Sequence, residues 1–144
     1  LPVNDKRAIA GHSMGGHGAL VIGLRNSDRY TSISAFSPIT NPTQCPWGEK
    51  AFSAYLGDDR EQWKQYDAVE IIKSKGQTLP IRVDQGLADG FLEEQLKPEN
   101  LKDAINEVNG GGTVHLHDGY DHSYYFISSF IEAQLRFHAK YLTA

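Results

Sequence analysis

A serine lies between two glycines in the segment Gly11-His12-Ser13-Met14-Gly15. An apolar run precedes this segment, and a run rich in glycine and alanine follows it. This context is typical of a tight strand-to-helix turn that exposes a serine hydroxyl as a nucleophile, although the bare pattern also occurs in ordinary turns. We predict that Ser13 is the catalytic nucleophile. The first helical N–H, that of Met14, is the predicted donor to an oxyanion.

A serine hydroxyl becomes a good nucleophile only when a base takes its proton. The predicted base is His122, which lies in the segment Gly-Tyr-Asp-His-Ser between the last strand and the last helix. A loop at that end of a strand can reach the serine. Five other histidines are less suited, because they flank the serine, alternate along a strand or lie inside the last helix: His12, His17, His115, His117 and His138.

The base needs a carboxylate that orients it, and in one common arrangement the chain order is serine, acid, histidine. Two aspartates follow the third predicted strand, Asp84 at its end and Asp89 in the loop. We favour Asp89 because a loop side chain can lean towards the histidine loop, and Asp84 remains the alternative. Asp121 is next to His122 in the chain, and such neighbours rarely face each other.

Strand and helix patterns alternate along the chain, as they must to position these residues. Strands are predicted at 6–10, 31–36, 79–84 and 114–117, and 41–48 is predicted as a loop. Helices are predicted at 14–25, 49–56, 60–74 in two pieces, 97–109 and 123–142. The alternation predicts an α/β fold with about four parallel strands and right-handed crossovers. Functional residues collect at the carboxyl ends of such strands.

Composition excludes several classes of protein. The chain has 144 residues and a net charge of −4, with no basic run that would favour nucleic acid or an anionic membrane. No stretch of the sequence is long and apolar enough to predict a membrane span. Cys45 is the only cysteine, so no disulfide can form within the chain, which suits a reducing compartment.

The chain resembles the S-formylglutathione hydrolases, the esterase D family of the α/β-hydrolase superfamily. The matching stretches cover nearly the whole chain: GHSMGGHGAL, SAFSPITNPTQCPWGEKAF, YLGDD, DQGLADGFL and GYDHSYYFI. The resemblance implies that Ser13, Asp89 and His122 form the triad. It also implies hydrolysis of S-formylglutathione to glutathione and formate, in cytoplasmic formaldehyde detoxification. It further implies activity on small esters, no metal or other cofactor, and a homodimer. Trp47 matches a position expected to line the acyl pocket, with simple packing as the alternative.

The chain departs from this family in length. Family members are considerably longer, their nucleophile turn lies near the middle, and this chain begins with Leu1 rather than Met. We therefore expect residues 1–144 to be the C-terminal half of one domain. The N-terminal half would supply the first strands and a second oxyanion N–H. The alternatives are a general carboxylesterase or acyltransferase on the same scaffold, or a catalytically silent fragment that serves as a folding or interaction unit.

Overall fold

The structure, a computed structural model, describes residues 3–143. Within these residues one sheet contains four parallel strands, and each strand pairs with the next along the chain. They are β1 (Ala8–His12), β2 (Ser32–Phe36), β3 (Ile81–Gly86) and β4 (Thr113–His117). The predicted fold class, α/β with about four parallel strands, is confirmed.

Helices connect the strands and follow the last one. They are α1 (Met14–Arg25), α2 (Pro46–Leu56), α3 (Arg60–Trp63), α4 (Ala68–Lys75), α5 (Pro98–Glu107) and α6 (Tyr124–Leu142). Two short 3₁₀ turns (Pro42–Gln44 and Lys64–Tyr66) and a π-helical turn (Leu92–Leu96) lie between them. None of the helices in residues 3–143 has the length and apolar character needed to cross a membrane.

The two faces of the sheet are covered differently, and β2 shows this best because all five of its residues are buried. Ile33 packs in the main apolar core with residues of α1, α4 and α5. Successive strand residues point to opposite faces. On the opposite face Ser32 and Ser34 contact His138 of α6, at 2.7 Å from Nδ1 and Nε2 respectively. Burial lowers the pKa of His138. The helices therefore lie on both faces and leave the carboxyl ends of the strands free for a site.

The predicted bounds of two strands are wrong by two residues. β1 was expected at 6–10 and β3 at 79–84, whereas both strands begin and end later. A small or polar residue follows the predicted end of each strand, but the main-chain pairing continues through Gly11 and His12 in β1 and through Gln85 and Gly86 in β3. Asp84 consequently lies inside β3 and does not end it.

The predicted loop at 41–48 is more ordered than expected, because α2 already begins at Pro46. Trp47 therefore lies in the first turn of a helix, where a preceding proline is favourable. The buried carboxylate of Asp67 fixes the segment that precedes α2. Its Oδ2 accepts hydrogen bonds from the N–H and the hydroxyl of Thr43, both at 2.9 Å. This anchoring holds the segment that carries Trp47 against the rest of the fold.

Candidate active site

The turn after β1 holds Ser13 in a conformation that few residues adopt. Its φ is 56°, in the left-handed region, and its N–H donates to the carbonyl of Phe36 at 2.9 Å. A Cβ at Gly11 would lie 2.1 Å from the carbonyl oxygen of Gly15. Only glycine therefore permits the strand and the following helix to approach this closely, as the sequence pattern predicted.

Three side chains from separate segments form a continuous relay of hydrogen bonds. His122 Nε2 lies 2.9 Å from Ser13 Oγ, and His122 Nδ1 lies 2.6 Å from Asp89 Oδ2. A carboxylate facing Nδ1 requires the proton on that nitrogen, which leaves Nε2 of the neutral ring free to accept the serine proton. The Asp89 side chain is fully buried, and that of His122 is 19 % exposed.

The local surroundings keep Asp89 charged. Burial by itself would raise the pKa of its carboxyl, but hydrogen bonds from three groups outweigh burial and lower it. Besides His122, the donors are the N–H of Phe91 at 2.9 Å and the side-chain amide of Gln85 at 3.1 Å. A carboxylate that accepts several hydrogen bonds stays ionised and can stabilise an imidazolium beside it. Neither Gln85 nor Phe91 was predicted from the sequence as part of the site.

The loop that carries Asp89 and the loop that carries His122 are bonded to each other through the main chain. The N–H of Ala88 donates to the carbonyl of Tyr120 at 2.9 Å. A Cβ at Gly86 would lie 2.2 Å from that same oxygen, so glycine is required where the two loops meet. The position of the carboxylate relative to the imidazole is therefore fixed largely by the backbone.

Asp84, the alternative acid, lies in a different cluster. Its carboxylate accepts two hydrogen bonds from Arg82, both at 3.0 Å, and one from Gln134 of α6 at 2.9 Å. His117 Nε2 lies 2.9 Å from Asp84 Oδ1. These bonds lower the pKa of Asp84 even though burial acts to raise it. The Asp84 carboxylate is thus occupied by partners other than His122.

Aromatic rings surround the base. The ring of Phe91 meets His122 edge-on, with centroids 5.3 Å apart, and the ring of Trp47 lies 4.8 Å from that of Phe91. Both Trp47 and Phe91 are about two-fifths exposed, at 41 % and 40 %. His12 also contacts the base, with ring centroids 4.8 Å apart. Sequence reasoning missed this contact, because it joins residues from opposite ends of the chain.

Three residues that the sequence disfavoured as catalytic groups do indeed lie away from the relay. His17 is packed between α1 and α4, and burial lowers its pKa to about 4. His115 contacts Thr113 and the ring of His117 on β4. Asp121 accepts a hydrogen bond from the N–H of Ser123 at the start of α6. Within residues 3–143, no three acidic, histidine or cysteine side chains gather in a way that would hold a metal ion.

The backbone N–H of Met14 is the first of α1, directly after Ser13. The first four N–H groups of a helix have no acceptor within the helix, and together they form its positive end. Ser13, His122 and Asp89 thus converge beside a helix N-terminus. This arrangement can transfer an acyl group to a serine and stabilise the negative charge that develops on the acyl oxygen.

Comparison with known proteins agrees with this chemistry. A family model named Esterase, with the description "Putative esterase", matches residues 1–137. The chain belongs to this esterase family. A solved S-formylglutathione hydrolase from Agrobacterium tumefaciens is similar to this chain at 46 % identity, with a TM-score of 0.92 over 96 % of the chain.

More distant structures share the fold. An S-formylglutathione hydrolase from Staphylococcus aureus is 20 % identical, with a TM-score of 0.69 over 96 % of this chain and 57 % of its own. Esterase B from Lactobacillus rhamnosis is 17 % identical, with a TM-score of 0.71 over 94 % of this chain and 52 % of its own. The chain has the fold of the α/β-hydrolases. It spans 50 % of the Agrobacterium enzyme, about half the length of that protein.

Proposed function

We propose that this esterase cleaves the thioester S-formylglutathione to glutathione and formate through an acyl-enzyme on Ser13. The observation that carries the proposal is the relay from Asp89 through His122 to Ser13, with contacts of 2.6 and 2.9 Å. In this proposal Ser13 is the nucleophile, His122 the general base and acid, and Asp89 the group that orients the imidazole. Met14 donates its backbone N–H to the oxyanion.

Acylation begins when Ser13 Oγ attacks the formyl carbon and its proton passes to His122 Nε2. The carbonyl electrons move onto oxygen, and the resulting oxyanion is stabilised by the Met14 N–H at the start of α1. The intermediate collapses and the carbon–sulfur bond breaks. His122 returns the proton to the departing sulfur, so glutathione leaves as a thiol and a formyl ester remains on Ser13.

Deacylation repeats these steps with water as the nucleophile. His122 takes a proton from water while the hydroxide attacks the formyl ester, and the proton then passes to Ser13 Oγ as the ester bond breaks. Formic acid leaves and ionises to formate in water, and the hydroxyl of Ser13 is restored. Asp89 stays ionised throughout, because its buried carboxylate is stabilised by three hydrogen-bond donors.

The choice of substrate rests on two observations. The first is the 46 % identity with the Agrobacterium S-formylglutathione hydrolase over nearly all of this chain. The second is the ring pair of Trp47 and Phe91, which extends from the edge of His122. In the proposal, Trp47 lines the pocket for the acyl group, and bulky rings at this place favour a small acyl group such as formyl.

Full activity requires a further polypeptide segment, which we include in the proposal as the N-terminal half of the same domain. β1 stands at one edge of the sheet and is partly exposed, whereas its neighbour β2 is completely buried. An edge strand presents unpaired N–H and C=O groups that can pair with another strand. The segment would pair with β1 and supply the second oxyanion N–H.

The resemblance to S-formylglutathione hydrolases extends the proposal to the cellular setting. The enzyme would act in the cytoplasm in formaldehyde detoxification, as a homodimer, and without a metal or another cofactor. Sedimentation of the natural polypeptide that contains this chain measures its oligomeric state, and a monomer would contradict the dimer. Fractionation of the source cells tests the compartment.

Replacing Ser13 with alanine tests the proposed nucleophile. In the natural polypeptide that contains this chain, Ser13→Ala should reduce turnover on the order of a millionfold, as loss of a triad serine does elsewhere. A fluorophosphonate probe should label the wild type at Ser13 and leave Ser13→Ala unlabelled. Labelling at another residue, or retained turnover in the variant, would contradict the proposal.

The substrate is tested separately by comparing kcat/KM for S-formylglutathione with that for simple aryl esters. A clear preference for the thioester supports the proposal. An equal or higher rate on aryl esters would identify a general carboxylesterase on the same scaffold. Trp47→Ala should raise the relative rate on longer acyl esters, whereas Tyr55→Ala, at an exposed ring on α2, serves as the matched control.

The need for a second segment is tested with the isolated 144-residue chain. Ester turnover should be low and the chain should associate, because the edge of β1 is open. Loss of one oxyanion donor typically costs about 10²–10³ in rate. A monomeric 144-residue chain with the turnover of the natural polypeptide would contradict this part of the proposal.

A further inference from the structure

The contact between His12 and His122 has no role in the mechanism described so far. The centroids of the two imidazole rings lie 4.8 Å apart, and their planes are tilted by 39°. His12 Nε2 is buried and has no hydrogen-bond partner within the described residues. A buried polar atom without a partner is costly, so a histidine is not placed here for packing alone.

The surroundings of His12 favour its neutral form. Burial lowers its pKa, and the proximity of His122 lowers it further, although the Asp89 carboxylate acts in the opposite direction. From α6 the ring of Tyr124 also faces it, with centroids 6.5 Å apart. The groups around His12 are thus the base, the acid and an aromatic ring, and none of them is a hydrogen-bond partner.

We propose that His12 is a positioning residue that, together with Phe91, holds the imidazole of His122 in the plane that joins Asp89 to Ser13. This inference rests on the proposed function. Phe91 contacts the same ring edge-on at 5.3 Å, so His122 is in contact with two separate rings. Two such contacts limit rotation of the imidazole about its side-chain bonds. The ring then keeps Nδ1 towards the carboxylate and Nε2 towards the hydroxyl.

Neutral His12 suits this task better than a cation would. His122 becomes an imidazolium each time it takes a proton from serine or water. A positive charge 4.8 Å away would disfavour that state, because like charges at this distance repel. Protonation of His12 at low pH should therefore slow the reaction. This effect adds to the protonation of His122 itself, which removes the base.

The test compares His12→Ala with His12→Phe in the natural polypeptide that contains this chain. His12→Ala removes the ring contact and should lower kcat about tenfold with little change in KM, because misplaced catalytic groups reduce the rate of the chemical step. His12→Phe restores a ring and should recover most of this loss. Thermal unfolding of each variant shows whether the fold is retained.

The pH profile of kcat/KM is a second readout that a merely structural role would not change. In the wild type, protonation of His122 removes the base and protonation of His12 slows the reaction further, so the logarithmic slope at low pH should exceed one. His12→Phe removes one of these groups, and the slope should fall to one. His115→Phe is the matched control, because His115 is also a strand histidine with a lowered pKa and lies away from the relay. Its profile should keep the wild-type slope.

The outcomes separate this inference from the proposed function. If the wild type is neither labelled by a fluorophosphonate at Ser13 nor active on esters, the proposed function and this inference both fail. If the wild type is active and both His12 variants match it in kcat and in slope, only the role of His12 is overturned. If His12→Ala does not fold, the slope for His12→Phe decides, and an unchanged slope overturns the inference.

Discussion

Two aspartate–histidine pairs connect the strand β3 and its loop with the strand β4 and its loop. Asp89 pairs with His122 and Asp84 with His117, at 2.6 and 2.9 Å. In each pair the aspartate side chain is fully buried and the histidine side chain is 19 % exposed. The two pairs are thus alike in composition, spacing along the chain and burial.

The pairs differ in which ring nitrogen faces the carboxylate and in what lies beyond the ring. His122 uses Nδ1 towards Asp89, so Nε2 is left to face Ser13. His117 uses Nε2 towards Asp84, and its ring stacks on Phe130 with centroids 3.7 Å apart. An aspartate–histidine pair is therefore not a sign of catalysis by itself. The group that faces the second nitrogen decides between a reactive site and a structural contact.

The aspartates also differ in their other partners. Asp84 neutralises Arg82 and binds Gln134, which connects the sheet to α6. Asp89 has no cation other than a protonated His122 among its hydrogen-bond partners, which are His122, Gln85 and the N–H of Phe91. Its charge is therefore available to an imidazolium. The comparison predicts that the first aspartate serves stability and the second serves turnover.

The largest effect is expected for Asp89→Asn. The amide can present an N–H to His122 and favour the wrong tautomer, so kcat should fall on the order of 10⁴-fold, as this exchange does in other serine triads. Stability should change less than in Asp84→Asn, because no guanidinium loses its carboxylate. Steady-state kinetics of the natural polypeptide measures this, with Asp84→Asn as the matched control. Equal losses of kcat in both variants would break the comparison.

Asp84→Asn should have the next largest effect. It should lower the free energy of unfolding and leave kcat unchanged. It leaves the guanidinium of Arg82 without its carboxylate in a largely buried position. Breaking a buried ion pair from one side typically costs about 3 kcal/mol or more. Urea unfolding measures the loss, and kcat of the folded fraction should stay at the wild-type value. A stability equal to that of the wild type would contradict the structural role of this pair.

His117→Phe should cost less, about 1.5 kcal/mol, the typical value for one hydrogen bond to a charged group. The new ring can keep the stack on Phe130, and Asp84 keeps Arg82 and Gln134. The corresponding change in the other pair, His122→Phe, should abolish turnover with little loss of stability. Unfolding curves and steady-state kinetics of the two variants test this difference between the pairs. A loss of turnover in folded His117→Phe would contradict a purely structural role for the Asp84–His117 pair.

The smallest expected effect is that of acid pH on the contribution of Asp84 to the free energy of unfolding. The pKa of Asp84 in the folded protein is below its ordinary value of 3.8. The stabilisation by its ionised form is therefore complete above that pH and is lost as pH falls through the lower, folded pKa. The difference in unfolding free energy between wild type and Asp84→Asn should be constant from about pH 5 to 7. Below pH 3.8 it should shrink, by at most about 1.4 kcal/mol per pH unit.

Sequence patterns were sufficient to predict the site where the residue types that the chemistry needs also determine the local backbone. The glycines around Ser13 predicted the turn, and at Gly11 the close approach of strand and helix leaves no room for a Cβ. Loop positions after the third and fourth strands predicted that Asp89 and His122 could meet, because parallel strands end at the same edge of a sheet. The alternation of patterns predicted the order of the strands and helices correctly.

Sequence patterns were insufficient where contacts between residues far apart in the chain determine the local structure. The polar ending of β3 indicated a loop from Asp84 onwards, but Arg82, His117 and Gln134 satisfy the carboxylate and allow it to be buried within the strand. The first turn of α2 at Trp47 depends on the anchoring of Thr43 by Asp67, which lies twenty positions after Trp47. The contact of His12 with His122 joins residues from opposite ends of the chain.

The main-chain bond between the loops of Asp89 and His122 has a mechanical consequence. A displacement of one loop carries the other with it through the bond between Ala88 and Tyr120, so acid and base move together as one body. The turn of Ser13 is tied instead to β2, through the carbonyl of Phe36. We therefore expect thermal motion to change the distance between the Ser13 hydroxyl and the His122 imidazole more than the distance between the Asp89 carboxylate and that imidazole.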